Sequence, residues 1–405
     1  MDFNDTPQEA EFREEAKAWL EANAPSSEEL QGLDMIEQAK LWQKRKYDAG
    51  WACLRWPKEY GGRDASPMEQ VIWGQEEAKF DLPGGVFMIG QGMAAPTLMA
   101  WGSEEQKREH LPRLASGEDI WCQLFSEPAG GSDLAALRTR SERDGDDWVI
   151  NGQKIWTSGA QYSDYGILVT RSDPNVPKHK GLTYFFLDMK SPGIEVRPIK
   201  QISGGANFNE VYFTDVRIPD AQRLGAEGQG WQVALTTLMN ERAAIGGGGG
   251  GGVGGFQQAF ELAQKVTIDD RPAIEDRSVR AKLANWYCQE SGMRFTGLRS
   301  VSALSRGETP GPENSIGKYV SASKAQDIAS FCMDLMEMTG VVADPELDSA
   351  IYVQSFMGAP GGRIAGGTDE VMLNILAERV LGLPQEPRVD KGIPFSEIPT
   401  GKSGS

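Results

Sequence analysis

Two histidines, His110 and His179, are all that 405 residues contain. That scarcity argues against histidine-rich metal sites and against most Ser-His triads. Four cysteines (Cys53, Cys122, Cys288 and Cys332) lie far apart with no CxxC pair, the pattern of reduced thiols rather than a disulfide framework. Basic residues are outnumbered, 41 Lys and Arg against 58 Asp and Glu. The formal net charge of −17 opposes nonspecific binding to nucleic acid or to an anionic membrane. No apolar run approaches the length that spans a bilayer. The start, Met1-Asp2-Phe3-Asn4-Asp5, is acidic where a secretory or mitochondrial signal is basic, so a cytoplasmic location is expected. What remains is a chain with 40% hydrophobic residues, long enough for two or three cores. A multidomain globular protein is expected.

The periodicity divides that chain. Asp5-Thr6-Pro7-Gln8 reads as a helix start, and Phe12, Ala16, Trp19 and Leu20 recur at helical spacing. Further helices are expected over Met35–Ala49, Pro67–Lys79 and Gly90–Trp101, and Ser103-Glu104-Glu105-Gln106 has the form of a capping box. From Ile120 the period changes to short β-branched and aromatic runs: Ile120–Phe125, Leu137–Ser141, Trp148–Ile150, Tyr165–Thr170, Leu182–Leu187, Ile194–Pro198 and Phe208–Phe213. Asp144-Gly145 and Asn151-Gly152 carry hairpin signals. From Gly228 helices return, over Trp231–Ala244, Phe256–Val266, Val279–Arg306, Ser315–Gly340 and Asp369–Leu381. The expected fold is therefore α+β: an N-terminal helical domain over 1–118, an antiparallel β domain or barrel over 119–226, a helical bundle over 227–384 and a mobile tail over 385–405. The glycine tract Gly246–Gly252, with Gly254 and Gly255, matches GxGxxG formally, but no strand precedes it, so a dinucleotide fingerprint is rejected. A helical segment in close packing is favoured over a flexible linker.

The chemistry-bearing stretch is Leu124-Phe125-Ser126-Glu127-Pro128-Ala129-Gly130-Gly131-Ser132-Asp133. Its hydroxyls donate and accept hydrogen bonds with little bulk, and its glycines let backbone approach a bound group closely. Such a strand-turn suits the edge of a flat, heteroatom-rich ring. Lys154-Ile155-Trp156-Thr157-Ser158-Gly159 then supplies a large flat side chain and two more hydroxyls. A third glycine-rich segment, Ala365-Gly366-Gly367-Thr368-Asp369-Glu370, follows near the C-terminus.

In this order the segments resemble those of the acyl-CoA dehydrogenase family, over about Asp5 to Pro384. The resemblance implies FAD as cofactor, held by Leu124, Phe125, Ser126, Gly131 and Ser132 and flanked by Trp156, Thr157 and Ser158, with Thr368 and Glu370 meeting it from the third segment. It implies an acyl-CoA substrate, oxidised to the 2-enoyl-CoA, with Ser132, Arg242 and the Gly366 amide contacting it and an electron-transfer flavoprotein taking the electrons. Many members carry the catalytic glutamate immediately before Gly-Thr, where this chain has Gly366, which has no side chain to act as a base. Other branches keep it in a Glu-Arg pair on an earlier helix, and here that pair is Glu241-Arg242. The resemblance thus implies Glu241 as base, with Asp369 and Glu370 as weaker candidates, and the Gly366 amide as donor to the thioester oxygen. The family's Arg-x-x-Phe-Gly segment, which reaches a neighbouring subunit's FAD, is replaced by Arg271-Pro272-Ala273-Ile274, so Arg271 is a cofactor candidate without its usual context.

Homodimers or homotetramers are implied, and a heteromer is open. Two other readings stand beside the dehydrogenase: an acyl-CoA oxidase or flavin monooxygenase on the same fold, and a base-poor structural subunit of a heteromeric dehydrogenase. Small residues near Glu241 favour a branched, cyclic or otherwise bulky acyl group.

Overall fold

The computed structural model describes residues 5–247, 255–306, 311–342 and 350–399. The chain divides into two compact units, one of Met1–Lys200, Ala206–Ala244 and Pro387–Ser405, the other of Gln201–Gly205 and Ile245–Glu386.

Four helices of the first unit start on one device. Thr6, Asp34, Ser66 and Ser103 each accept a backbone N–H three residues on, while Glu9, Glu37, Glu69 and Gln106 return the bond, satisfying donors the first turn leaves orphaned. The helices are Pro7–Asn23, Met35–Asp48, Pro67–Glu77 and Glu104–Ser116. Between them Gly90–Ala94 forms a π turn that runs into the helix Ala95–Trp101.

The sheet has eight strands: β1 Trp121–Leu124, β2 Arg140–Asp144, β3 Asp147–Ser158, β4 Tyr165–Arg171, β5 Leu182–Asp188, β6 Ile194–Ile199, β7 Phe208–Pro219 and β8 Arg223–Leu224. Their order is β6-β7-β3-β2-β4-β5-β8, with β1 added to β4. The expected antiparallel pairing holds for most neighbours, but β1 runs parallel to β4 and β2 meets β4 in one parallel pair, Arg140 with Arg171. Alternation along β4 and β5 splits the core. Ile167, Val169, Tyr184 and Phe186 pack with Leu98, Leu111, Leu114 and Val233 from helices, while Leu168, Phe185 and Leu187 pack with Trp148, Val211 and Phe213 from the sheet.

Asp144-Gly145 turns β2 into β3 as expected. Asn151-Gly152 does not turn the chain: it lies inside β3, where two steps from Ile150 to Gly152 face three on β7 from Val216 to Phe213. The extra residue bulges on β7, with Asp215 at φ 50. Asn151 exchanges side-chain bonds with Asp215, accepting from its N–H at 3.0 Å and donating to Oδ1 at 2.9 Å. The local turn propensity is spent on this cross-strand lock. The run Leu137–Ser141 is also displaced, since Leu134–Ala136 coils into a 3₁₀ turn and the strand begins at Arg140.

Residues 390–396 of the tail fold back onto the β4–β5 connection, while residues 400–405 lie outside the described residues. Phe395 and Ser396 donate backbone bonds to Val176 and Pro174, both at 2.9 Å, and the Arg171 guanidinium lies 3.7 Å from the Phe395 ring centre. Lys178 pairs with Asp390 in this strap and with Asp133 in the SEPAGGSD segment.

The helix Gly230–Gly247 ends in the glycine tract, of which Gly248–Gly254 lies outside the described residues. In the second unit the helices Phe256–Lys265, Arg277–Ser305 and Ser315–Leu335 enclose a core that includes Leu262, Leu283, Trp286, Ile328 and Phe331. Ala350–Gly362 is helical although no helix was expected there; its all-round apolar character masked the period. The last helix runs Asp369–Ile375, continued by a π turn over Leu376–Val380. Among the described residues no helix is long and apolar enough to cross a membrane.

Candidate active site

In the first unit the site grows from the end of β1. Leu124 and Phe125 are buried, so a ligand at this edge meets their backbone. Beyond them Glu127 and Gly130 exchange backbone bonds at 3.0 Å each, closing a tight turn that projects Pro128 and Ala129. The Glu127 carboxylate turns inward and accepts from the N–H groups of Arg138 at 2.6 Å and Thr139 at 2.9 Å. Lys154, wholly buried on β3, donates to Glu127 at 2.8 Å and to the Phe125 carbonyl at 3.1 Å. Burial pushes the Glu127 carboxyl upward, but the Lys154 charge and the donors around it prevail and hold it below its ordinary value. Burial draws the Lys154 amine down, and Glu127 opposes that pull. The Ile155 N–H donates to the Ser126 carbonyl at 2.9 Å, so the two sequence segments form one bonded surface.

A second bulge shapes that surface. From Lys154 to Thr157 three steps on β3 face two on β7, from Val211 to Asn209. Trp156 is the extra residue, at φ 61 in the left-handed region, and its ring is 56% exposed. The bulge inverts the alternation, so that Thr157 is buried while Trp156 is exposed and Ser158 half-buried. The Thr157 Oγ1 has no hydrogen-bond partner among the described residues. Beside the turn, Gly131 and Ser132 are exposed, and a Cβ added at Gly131 meets only the Ser126 Oγ at 3.9 Å. An exposed ring held in a strained conformation, an orphaned hydroxyl and open space beside a glycine fit the edge and face of a flat cofactor.

Glu241 belongs to this unit. It is half-buried on the helix Gly230–Gly247, and its Oε2 accepts from the Gln123 Nε2 of β1 at 3.3 Å. Of the apolar neighbours expected to desolvate it, Leu238 packs against the core, whereas Met239 is 63% exposed. The side chains of Arg242, Ala243 and Ala244 lie outside the described residues.

The remaining candidates belong to the second unit. Gly366 and Gly367 have φ of 68 and 100, and a Cβ at Gly367 comes within 2.5 Å of the Met372 side chain, so this double-glycine turn excludes larger residues. Thr368 caps the following helix, its hydroxyl accepting from the Val371 N–H at 3.3 Å. Asp369 is buried and accepts from Arg363 Nε at 2.6 Å, while Lys318 donates to the Gly367 carbonyl. Asp369 therefore anchors the loop, and Glu370 is exposed. Arg271 is exposed on a two-stranded hairpin turned by Asp269 and Asp270, at φ 49 and 61.

Three residues of the site escaped sequence reasoning. Glu127 and Lys154 stand inside the two recognised segments, and their one signal was a pair of opposite charges, one in the turn after β1 and one in β3. Gln123 carried the same kind of signal, a polar residue between Cys122 and Leu124.

Comparison with known proteins agrees over most of the chain. Residues 6–118, 122–216 and 228–381 match the models of the acyl-CoA dehydrogenase N-terminal, middle and C-terminal domains. The chain is 36% identical over 394 residues to the acyl-CoA dehydrogenase IpdE1 of Mycobacterium tuberculosis, covering 93% of this chain and 98% of that one. Among solved structures, the Tcur3481-Tcur3483 steroid ACAD is similar at 29% identity and a TM-score of 0.79, over 95% of this chain and 100% of that one. The ChsE4-ChsE5 complex from Mycobacterium tuberculosis is similar at 29% identity and a TM-score of 0.76, with the same coverage.

Proposed function

The chain belongs to the acyl-CoA dehydrogenase family, and from that premise we propose that it oxidises a bulky or cyclic acyl-CoA thioester to the 2-enoyl-CoA, with Glu241 as base. FAD is the cofactor, and when bound it supplies the acceptor for the β hydride. The residues that would hold it in the first unit are Ser126, Gly131, Ser132, Trp156 and Ser158, with the backbone of Leu124 and Phe125; Thr157 backs them from inside the sheet. Thr368 and Glu370 are the candidates from the second unit, and Arg271 is a further one.

Glu241 removes the α proton onto its carboxylate. The Gly366 N–H donates to the thioester oxygen as that oxygen gains charge, and Arg242 and Ser132 bind the rest of the substrate. The reducing equivalents pass to an electron-transfer flavoprotein in the cytoplasm. One observation carries the base assignment: the Glu241 carboxylate is tied at 3.3 Å to Gln123, three residues before Ser126. The base, on its helix, is thus bonded to the strand whose end is the cofactor candidate.

The test is Glu241→Gln, titrated anaerobically with a panel of straight, branched and polycyclic acyl-CoA thioesters. The variant is expected to keep its flavin spectrum and lose about 10²- to 10⁴-fold in turnover. Near-wild-type turnover would move the base elsewhere. Peroxide formation in air at the rate of substrate oxidation would select the oxidase reading instead.

A second reading concerns assembly. The similar steroid enzyme and the ChsE4-ChsE5 structure are each named for two chains, and Arg271 lacks the Phe-Gly context of the family's inter-subunit contact. Both support a heteromer, and the name of the steroid enzyme supports a steroid-like acyl substrate. A colourless chain that gains flavin and activity on co-expression with a second acyl-CoA dehydrogenase chain would establish it.

A further inference from the structure

We infer that Gln123 is the positioning residue for the Glu241 carboxylate, an inference that rests on the assignment of Glu241 as base. β1 is an apolar strand: Trp121, Cys122 and Leu124 are buried, and Gln123 stands opposite Ile167 of β4. Packing alone gives no reason for an amide here, since a half-buried amide without a partner is costly. Its Nε2 donates to Glu241 Oε2 across 118 residues of sequence.

The distance from strand to helix does not depend on that bond. One turn before Glu241, the buried Thr237 Oγ1 lies 2.8 Å from the Thr97 Oγ1 and 2.9 Å from the Tyr184 hydroxyl. Thr97 in turn donates to the Met93 carbonyl at 2.8 Å. These hydroxyls tie the Glu241 helix to β5 and to the helix Ala95–Trp101, fixing its rotation and height. What they leave undetermined is the end of a glutamate side chain with three rotatable bonds. Gln123 supplies the donor that selects its orientation, and it stabilises the ionised carboxylate that takes the proton. Losing the donor removes one restraint on the carboxylate but leaves the helix in place. A displacement of about 1 Å in a reacting group costs on the order of 10² in rate.

The test is Gln123→Leu in the full-length, flavin-loaded protein. kcat is expected to fall about ten- to hundred-fold while KM stays within about twofold, since the bond orients the base and does not bind substrate. Flavin content and melting temperature are expected to stay at wild-type values or above, because the change removes a polar group from an apolar strand. With an α-deuterated thioester, the isotope effect on kcat is expected to rise as proton removal becomes slower relative to other steps.

A double-mutant cycle separates positioning from structure: Gln123→Leu added to Glu241→Gln is expected to cause no further loss. Wild-type kcat in Gln123→Leu, or the same fold-loss in both backgrounds, overturns the inference. If Glu241→Gln is impaired while Gln123→Leu turns over normally, this inference alone fails. If Glu241→Gln itself turns over normally, the base assignment fails and takes the inference with it.

Discussion

Lys154 and Glu127 form a buried ion pair, 2.8 Å between Nζ and Oε1, that joins the two segments proposed to face the cofactor. Neither has a solvent alternative, because Lys154 is wholly enclosed and Glu127 nearly so. Removing one partner leaves the other as an uncompensated buried charge, at about 3–5 kcal/mol. Lys154→Met is therefore expected to lower the melting temperature sharply, and the double variant with Glu127→Gln to recover part of that loss. Equal melting of the single and double variants would show that packing, not charge, holds the segments together. The pH dependence has a definite sign. The folded Glu127 carboxyl is held below its ordinary 4.5, so its contribution is full above that value and is lost as pH falls through the folded value.

Trp156 offers a way to separate stability from cofactor binding. Its left-handed backbone costs a residue with a Cβ about 1–2 kcal/mol relative to glycine. The ring returns little of this within the chain, since it is exposed and meets Phe208 edge-on at 6.2 Å between centres. Trp156→Gly is expected to give an apoprotein more stable than Trp156→Ala by about 1 kcal/mol, and both variants to retain less flavin after gel filtration. Equal apoprotein stabilities would deny the strain, and full flavin retention would remove Trp156 from the cofactor site.

His110 makes stability fall with acid near neutrality. Its ring is buried against Trp121, Tyr165 and Phe186, at 5.5, 5.2 and 4.8 Å between centres. That burial lowers its pKa below 6.5, and Glu109 and Asp119 oppose the shift incompletely. The unfolded chain therefore binds a proton that the folded one refuses, and stability is lost as pH falls below about 6.5. His179 is shifted the same way, by burial and by Lys178. His110→Phe is expected to flatten, but not abolish, the decline in melting temperature between pH 7 and 5. An unchanged slope would exclude His110 as its source.

Much of the helical skeleton was legible because its signals are local. A capping residue and its partner three positions on act within one turn, which is why Thr6, Asp34, Ser66 and Ser103 start helices where they stand. Asn151-Gly152 misled for the same reason. Its turn preference is local, but Asp215, 64 residues away, offers a bond that a turn does not. The anchoring of the tail at Phe395 went unread likewise, since that residue gains the face of Arg171, and it and Ser396 gain backbone partners at Val176 and Pro174, that no local pattern records.

The order of the three glycine- and hydroxyl-bearing segments, and Gly366 in place of a carboxylate, were properties of the sequence by itself. They determined the family, and Gly366 leaves the position before Gly367-Thr368 without a side chain to act as a base. The tertiary structure decided what holds these parts in register: Lys154 under Glu127, the bulge that turns Trp156 outward, and Gln123 against Glu241. The physical reason is one of range. Propensity and periodicity act over a few residues, whereas a buried charge or amide must find its partner wherever folding brings one within about 3 Å.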